Sequence, residues 1–127
     1  MYSGHKVLVV ETQFIIALGI QDLLETRLSA QVILAAGPDE AHDRAAEWSS
    51  AALAIIELER NRPDLVELAR QISQSGIPVL GLSADAVLAA GVPELPGTPV
   101  LIKPVPDEDL AAAIMAFRHQ YPLPDVT

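Results

Sequence analysis

The chain contains no cysteine, which excludes disulfide bonds, thiolate metal ligands and cysteine nucleophiles. Aromatic residues are scarce, with one Trp, two Tyr and two Phe, too few for a stacking site around a flat cofactor. Eight basic residues stand against seventeen acidic ones, and the resulting net charge of −9 repels the phosphate backbone of nucleic acids. No apolar run approaches the roughly 20 residues of a membrane helix, and no signal-peptide pattern opens the chain. We therefore expect a cytoplasmic protein that binds neither nucleic acid nor membrane.

Motifs of known catalytic sites are missing as well. The sequence has no GxGxxG, no GxxxxGK[ST] and no GxSxG, so nucleotide-dependent and hydrolytic chemistry lack their phosphate loops and nucleophile. His5, His42 and His119 lie far apart, without the spacing of metal-binding pairs. We expect no enzymatic activity and no catalytic residues.

What the chain does have is a regular alternation of short apolar runs with segments of helical periodicity. The apolar runs lie at residues 6–10, 31–36, 52–56, 78–82 and 99–103. The helical segments lie near residues 16–28, 38–49, 65–72, 84–90 and 110–117. This alternation predicts an α/β fold with a doubly wound, five-stranded parallel sheet. The length of 127 residues predicts one domain, with a core over about 5–119 and a loose tail at 120–127.

Polar residues follow the predicted strands at the edge where ligands bind in such sheets. These residues are Glu11 and Thr12 after the first strand, Glu57 and Glu59 after the third, Ser83 after the fourth, and Lys103 with Pro104 after the fifth. Because the carboxyl ends of parallel strands share one edge, we expect these side chains to meet in one crevice. Thr12 has a second interpretation as the N-cap of the first helix, a position that threonine favours.

Four segments resemble successive blocks of response-regulator receiver domains, the CheY-like superfamily, and they come in the same order. They are VLVVETQFIIALGIQDLLE, LAIIELERNRPDLVELARQI, IPVLGLSA and VLIKPVPDEDLAAAI. The resemblance covers nearly the whole chain, and its most specific part is Lys103-Pro104 with Ser83 one strand earlier. It implies a flavodoxin-like (βα)5 fold with strand order 2-1-3-4-5 and a role in two-component phosphorelay signalling.

The resemblance also implies roles for the residues of the crevice. In that family an acidic pair after the first strand holds Mg²⁺, and an aspartate after the third strand accepts phosphate from a histidine kinase. A Ser or Thr and a Lys contact the phosphoryl group. Glu11 matches the first acid, and Ser83 and Lys103 match the two phosphate contacts.

Three positions depart from the family pattern. Thr12 replaces the second acid, Glu57 replaces the acceptor aspartate, and Val100 stands where a switch aromatic is expected. Phosphoryl transfer depends on positioning, and the extra methylene of Glu57 moves its carboxylate by roughly 1.5 Å. These departures imply a pseudo-receiver that is not phosphorylated at the usual position.

Glu57 then has two interpretations. Its carboxylate either mimics a phosphate by reaching toward Ser83 and Lys103, or simply forms a partly buried ion pair with Lys103. No cofactor is required in this account. Weak Mg²⁺ binding would draw on Glu11, Glu57 and the backbone near Glu59, with one carboxylate fewer than the family uses.

Function is expected to run through protein contacts, with a signalling protein such as a histidine kinase or a downstream effector as the partner. We expect no output domain in a chain of this length. In the family, the fourth helix, fifth strand and fifth helix carry dimerisation and partner contacts, which here suggests a homodimer through 84–90 and 107–117. An apolar patch at 86–90 lies on this face. Two alternatives stay open: a phosphorylatable regulator with a poor or relocated acceptor such as Asp64 or Asp85, and an unrelated flavodoxin-like binding module.

Overall fold

The computed structural model describes residues 2–120, except for the side chain of His119. Its strands are β1 (Lys6–Val10), β2 (Gln31–Ala35), β3 (Leu53–Glu57), β4 (Val79–Ser83) and β5 (Val100–Ile102). They form one sheet in the order β2-β1-β3-β4-β5, and every neighbouring pair is parallel. The predicted doubly wound α/β fold with strand order 2-1-3-4-5 is therefore confirmed.

Helices cover both faces of the sheet. They are α1 (Phe14–Arg27), α2 (Pro38–Asp43), α3 (Ala45–Trp48), α4 (Pro63–Gln74) and α5 (Asp107–Gln120), with a 3₁₀ segment at Ala86–Ala90. The helices α1 and α5 pack on one face, and α2 and α4 pack on the other. Of the loose tail predicted at 120–127, Gln120 is instead the last residue of α5, and residues 121–127 lie outside the described residues. No helix within residues 2–120 is long and apolar enough to cross a membrane.

The central strand explains why the sheet is buried on both faces. All five residues of β3 are buried, as a continuous apolar run predicts for a strand between two layers of helices. The apolar face predicted for α4 is also buried, with Leu65, Leu68, Ala69 and Ile72 against the sheet. Pro63 begins this helix, where its missing N–H costs no intrahelical hydrogen bond.

The helix predicted over 38–49 is interrupted at Arg44, which separates α2 from α3. The Arg44 guanidinium donates a hydrogen bond to the Leu34 carbonyl, and the Trp48 indole N–H donates to the Ala41 carbonyl at 2.7 Å. The alanine-rich segment offers little apolar surface for packing a continuous helix. Side-chain hydrogen bonds to backbone carbonyls therefore decide its path.

The helix predicted near 84–90 is a single 3₁₀ segment. The Asp85 carboxylate begins it by accepting a hydrogen bond from the Val87 N–H at 3.0 Å. Gly91 ends it with φ of 106°, a conformation that glycine adopts without strain. The stretch that follows contains Pro93, Pro96 and Pro99, which cannot donate the backbone hydrogen bonds of a longer helix.

Candidate functional site

The carboxyl edge of the sheet gathers the buried polar side chains of the described residues. Glu11, Glu57 and Ser83 are the buried polar or charged residues within 2–120, with exposures of 2%, 6% and 0%. Glu57 and Ser83 are the last residues of β3 and β4 rather than the first residues after them. Burial of three polar groups at one edge, where ligands bind in open parallel sheets, marks the candidate site.

At this edge, two carboxylates share a single ammonium group. Lys103 Nζ lies 3.0 Å from Glu11 Oε1 and 3.9 Å from Glu57 Oε1. The side chains are 8% exposed for Lys103, 0% for Glu11 and 8% for Glu57. We call Glu11, Thr12, Glu57 and Lys103 the inner cluster. Its charges do not balance, because one cation faces two acidic groups that are both removed from water.

Thr12 belongs to the inner cluster and not to a helix cap. Its backbone N–H and its hydroxyl both donate to Glu57 Oε1, at 2.8 and 2.7 Å. Helix α1 begins at Phe14, and Gln13, which precedes it, makes no side-chain cap. The Gln13 N–H donates instead to Glu11 Oε2 at 2.9 Å. The N-cap interpretation of Thr12 is therefore wrong, because Glu57 engages the hydroxyl.

The environment shifts the pKa values of the two carboxyl groups of the inner cluster in opposite directions. Burial raises the pKa of Glu11, and the nearby Glu57 carboxyl raises it further. Burial also acts to raise the pKa of Glu57, but it is outweighed by hydrogen bonding with Glu11 and Thr12 and by the Lys103 charge, so the pKa is lowered. Glu57 is thus the group that stays ionised, and Glu11 is the group that more readily holds a proton.

A second group of contacts at this edge is arranged around Glu59. Glu59 Oε1 accepts a hydrogen bond from the Ser83 hydroxyl at 2.9 Å and another from the Ala84 N–H at 2.8 Å. The Asp85 N–H donates in turn to Ser83 Oγ at 3.0 Å. We call Glu59, Ser83 and Ala84 the outer contact. The expectation that Glu57 reaches Ser83 is wrong, because Glu57 turns toward Thr12 and Glu59 takes the donors at the end of β4.

The two aspartates considered as relocated acceptors are both bonded to arginines. Arg60 forms an ion pair with Asp85 beside the outer contact, and Arg62 binds Asp64 through two hydrogen bonds of 3.0 and 2.9 Å. The Val87 N–H and then Arg60 lower the pKa of Asp85, and Arg62 lowers the pKa of Asp64. Both carboxylates therefore lie in contacts that favour their charged form.

The donor set does not fit a magnesium ion well. Mg²⁺ requires near-octahedral oxygen ligands at about 2.0–2.1 Å, usually including carboxylates. The ammonium of Lys103 is bonded to Glu11, Thr12 donates to Glu57, and Glu59 points to Ser83. Among the described residues, no three acidic or histidine side chains are grouped so as to hold a metal.

Val100, at the position of the expected switch aromatic, lies in β5 opposite Gly81. A Cβ at Gly81 would lie 2.7 Å from Leu58 Cδ1 and 3.2 Å from Val100 Cγ2. Glycine at 81 therefore gives these two side chains the room they occupy. Val100 is half-buried and packs against the core, as expected for a structural residue in this strand.

Sequence reasoning placed Glu59 among the strand-end residues of the crevice and named the backbone near it as a metal ligand, but it missed the role of the Glu59 side chain in the outer contact. It also missed the apolar exposed face of α1, where Phe14 and Ile15 are 69% and 84% exposed. A signal for the second feature is present in the sequence, since the stretch FIIALGI is apolar on all sides of the helix. The role of Glu59 in the outer contact depends on the path of the loop after β3.

Comparisons by sequence find no relative, since no family model and no curated protein matches the chain. Comparisons by structure find receiver domains. A two-component response regulator from Clostridium difficile superposes with a TM-score of 0.77 at 19% identity, over 94% of this chain and 99% of that one. The receiver domain of the PhyR response regulator from Erythrobacter litoralis gives 0.78 at 17% identity, over 98% of both chains. The chemotaxis protein CheY4 from Vibrio cholerae gives 0.70 at 20% identity, over 88% and 97%.

These structures resemble the chain over nearly its whole length, and each has its strands and helices in a comparable arrangement. At such identities the resemblance concerns architecture and not the chemistry of the crevice. Together with the strand order, it establishes that this chain has the fold of response-regulator receiver domains.

Proposed function

We propose that this chain is an atypical receiver-like module of two-component signalling that acts through protein contacts without phosphorylation at Glu57. One observation carries the proposal: the donors that would meet an incoming phosphoryl group are bonded to the chain's own carboxylates. The Ser83 hydroxyl and the Ala84 N–H are bonded to Glu59, and the Lys103 ammonium is bonded to Glu11. The chain's own carboxylates therefore occupy the crevice.

The geometry of Glu57 supports the same conclusion. In-line phosphoryl transfer requires a nucleophilic oxygen that is free and aligned with the phosphorus atom. Glu57 Oε1 already accepts two hydrogen bonds from Thr12 and lies 3.9 Å from Lys103 Nζ. Breaking these contacts would uncover a buried charge, so Glu57 is held as a structural anion.

Glu59 has the role first considered for Glu57, that of a phosphate mimic. Its carboxylate places a negative charge against the hydroxyl and the N–H at the end of β4, which is the kind of contact that a phosphoryl oxygen makes with neutral donors. The loop after β3 is thereby attached to β4 without any modification of the chain. The module is then a binding surface of constant shape.

The working partner is a signalling protein, such as a histidine kinase or a downstream effector, encountered in the cytoplasm. A catalytic role is not proposed, because the buried groups at the crevice are bonded to one another and none is free to act as a nucleophile or base. Mg²⁺ is not required in this account, since Lys103 already supplies the cation that faces Glu11.

The test is incubation with acetyl phosphate and Mg²⁺ followed by intact mass measurement. Wild-type protein is expected to keep its mass, because Glu57 and the outer contact leave no aligned acceptor. The triple variant Thr12→Asp, Glu57→Asp, Glu59→Ala restores the second acid and the acceptor aspartate, frees the donors at the end of β4, and serves as the positive control. A stoichiometric gain of one phosphoryl group by the wild type would overturn the proposal, and mapping it to Asp64 or Asp85 would establish the relocated acceptor.

A further inference from the structure

A small cleft lies between α1 and the segment that leads from β5 into α5. Its volume is about 210 Å³. Most of its wall is apolar, formed by Ile16, Gly19, Ile20, Leu82, Val105 and Leu110. An apolar cavity of roughly 150 Å³ holds a benzene molecule, so this cleft has room for one substituted ring or a short branched chain.

Gly19 leaves one side of the cleft accessible. It is an exposed residue inside α1, and a Cβ built there would meet no atom within 4 Å. Its φ is not positive, so the backbone does not require glycine at this position. Glycine destabilises a helix interior relative to alanine, and here its effect is to keep the cleft open.

Two charged side chains, Lys103 and Asp107, also line the cleft. The ammonium of Lys103 has three N–H donors. It donates to Glu11 Oε1 at 3.0 Å, whereas Glu57 Oε1, at 3.9 Å, lies beyond hydrogen-bond distance. Within residues 2–120, Lys103 therefore keeps donors that no protein acceptor takes, although its side chain is only 8% exposed.

The charges around this ammonium favour a neutral ligand. An anionic ligand would meet the acidic groups that already surround Lys103, namely Glu11, Glu57 and Asp107. A cationic ligand would be repelled by Lys103 itself. A carbonyl oxygen accepts a hydrogen bond from an ammonium without adding a charge to the site.

We propose that this cleft binds a small neutral molecule with an apolar body and a carbonyl oxygen, which accepts a hydrogen bond from Lys103. The apolar body fills the space between α1 and α5, and the single polar contact fixes its orientation. Because Lys103 is also the cation of the inner cluster, an occupant of the cleft acts on its ion pair with Glu11. The ligand would give the module a chemical input that needs no phosphorylation.

The probe is acetophenone, titrated into the full chain while backbone amides are observed by NMR. We expect saturable shifts at Gly19, Ile20 and Val105, with a dissociation constant of about 1 mM for a ligand of this size. Gly19→Leu should weaken binding by about tenfold, because the new side chain has space at this position and competes for the cleft. Ala112→Leu, at an exposed position of α5, is the control and should change binding by less than about twofold.

A second measurement tests the hydrogen bond to Lys103. In the wild type, the methyl protons of bound acetophenone should show nuclear Overhauser effects to the side-chain protons of Lys103. Ethylbenzene has a similar shape without the oxygen. Its dissociation constant divided by that of acetophenone should fall by about fivefold in Lys103→Met, because only the ketone loses a hydrogen bond. If Lys103→Met does not fold, the Overhauser effects in the wild type decide.

Four outcomes would overturn the inference. They are binding of acetophenone that does not saturate, equal effects of Gly19→Leu and Ala112→Leu, Overhauser effects that do not involve Lys103, and benzoate binding as tightly as acetophenone at neutral pH. The inference does not depend on the proposed function. Phosphorylation of the wild type by acetyl phosphate would refute that proposal and leave the acetophenone titration unchanged.

Discussion

The inner cluster and the outer contact lie at the same edge of the sheet and satisfy their carboxylates in different ways. In the inner cluster, two buried acidic groups share the ammonium of Lys103. In the outer contact, one half-buried carboxylate, Glu59, accepts two hydrogen bonds from neutral donors. The difference indicates that the inner cluster contributes to folding stability, since separating its buried charges costs much free energy. We expect the outer contact to control whether an anion reaches the end of β4.

Removing the cation of the inner cluster should produce the largest effect. Lys103→Met leaves Glu11 and Glu57 buried without a positive partner, and we expect a loss of about 3–5 kcal/mol of unfolding free energy at pH 7. Urea denaturation measures it, and the loss should shrink at low pH as the carboxylates become protonated. Arg27→Met, which breaks an exposed ion pair, should cost at most about 1 kcal/mol. Equal losses in the two variants would contradict the distinction between buried and exposed pairs.

The two acids of the inner cluster should respond to pH in opposite senses. The lowered pKa of Glu57 stabilises the fold above the ordinary carboxyl pKa of about 4.3, and this stabilisation is lost as pH falls through the lower folded value. The raised pKa of Glu11 stabilises the fold below that ordinary value, and this is lost as pH rises through the higher folded value. Unfolding free energies of Glu57→Gln and Glu11→Gln, each measured against wild type from acidic to neutral pH, should therefore diverge in opposite directions.

The prediction of opposite responses is contradicted if the unfolding free energies of Glu57→Gln and Glu11→Gln show the same pH trend relative to wild type. Such a result would mean that the two carboxyl groups titrate as one and that neither has a preferred protonation state.

The outer contact should matter least for stability. Glu59→Ala removes one hydrogen-bond acceptor that is partly exposed to water, so we expect a loss of about 1 kcal/mol or less in urea denaturation. Glu94→Ala, at an exposed position, is the control and should have no measurable effect. A loss in Glu59→Ala as large as that in Lys103→Met would contradict the assignment of the stabilising role to the inner cluster.

The fold could be predicted because burial on both faces of a parallel sheet leaves continuous apolar runs, of which β3 is the clearest. The convergence of Glu11, Glu57 and Lys103 followed from the same geometry. The hydrogen-bond partner of each side chain could not be predicted in this way. Glu57 and Glu59 both come at the end of the same apolar run, and only the path of the loop decides which of them contacts Ser83. The short 3₁₀ segment likewise depends on the Asp85 hydrogen bond and the prolines after Gly91, which act against the helical spacing of 84–90.

The central claim is that the chain's own carboxylates occupy the crevice. Its most direct test is an NMR titration with inorganic phosphate that observes the Ala84 backbone amide. In wild type, Glu59 holds this N–H, so its chemical shift should not change beyond the effect of ionic strength. In Glu59→Ala the same amide should shift in a saturable manner, because the N–H and the Ser83 hydroxyl become available to an anion. A saturable shift of Ala84 in the wild type would contradict the account, since it would show that Glu59 does not occupy the end of β4.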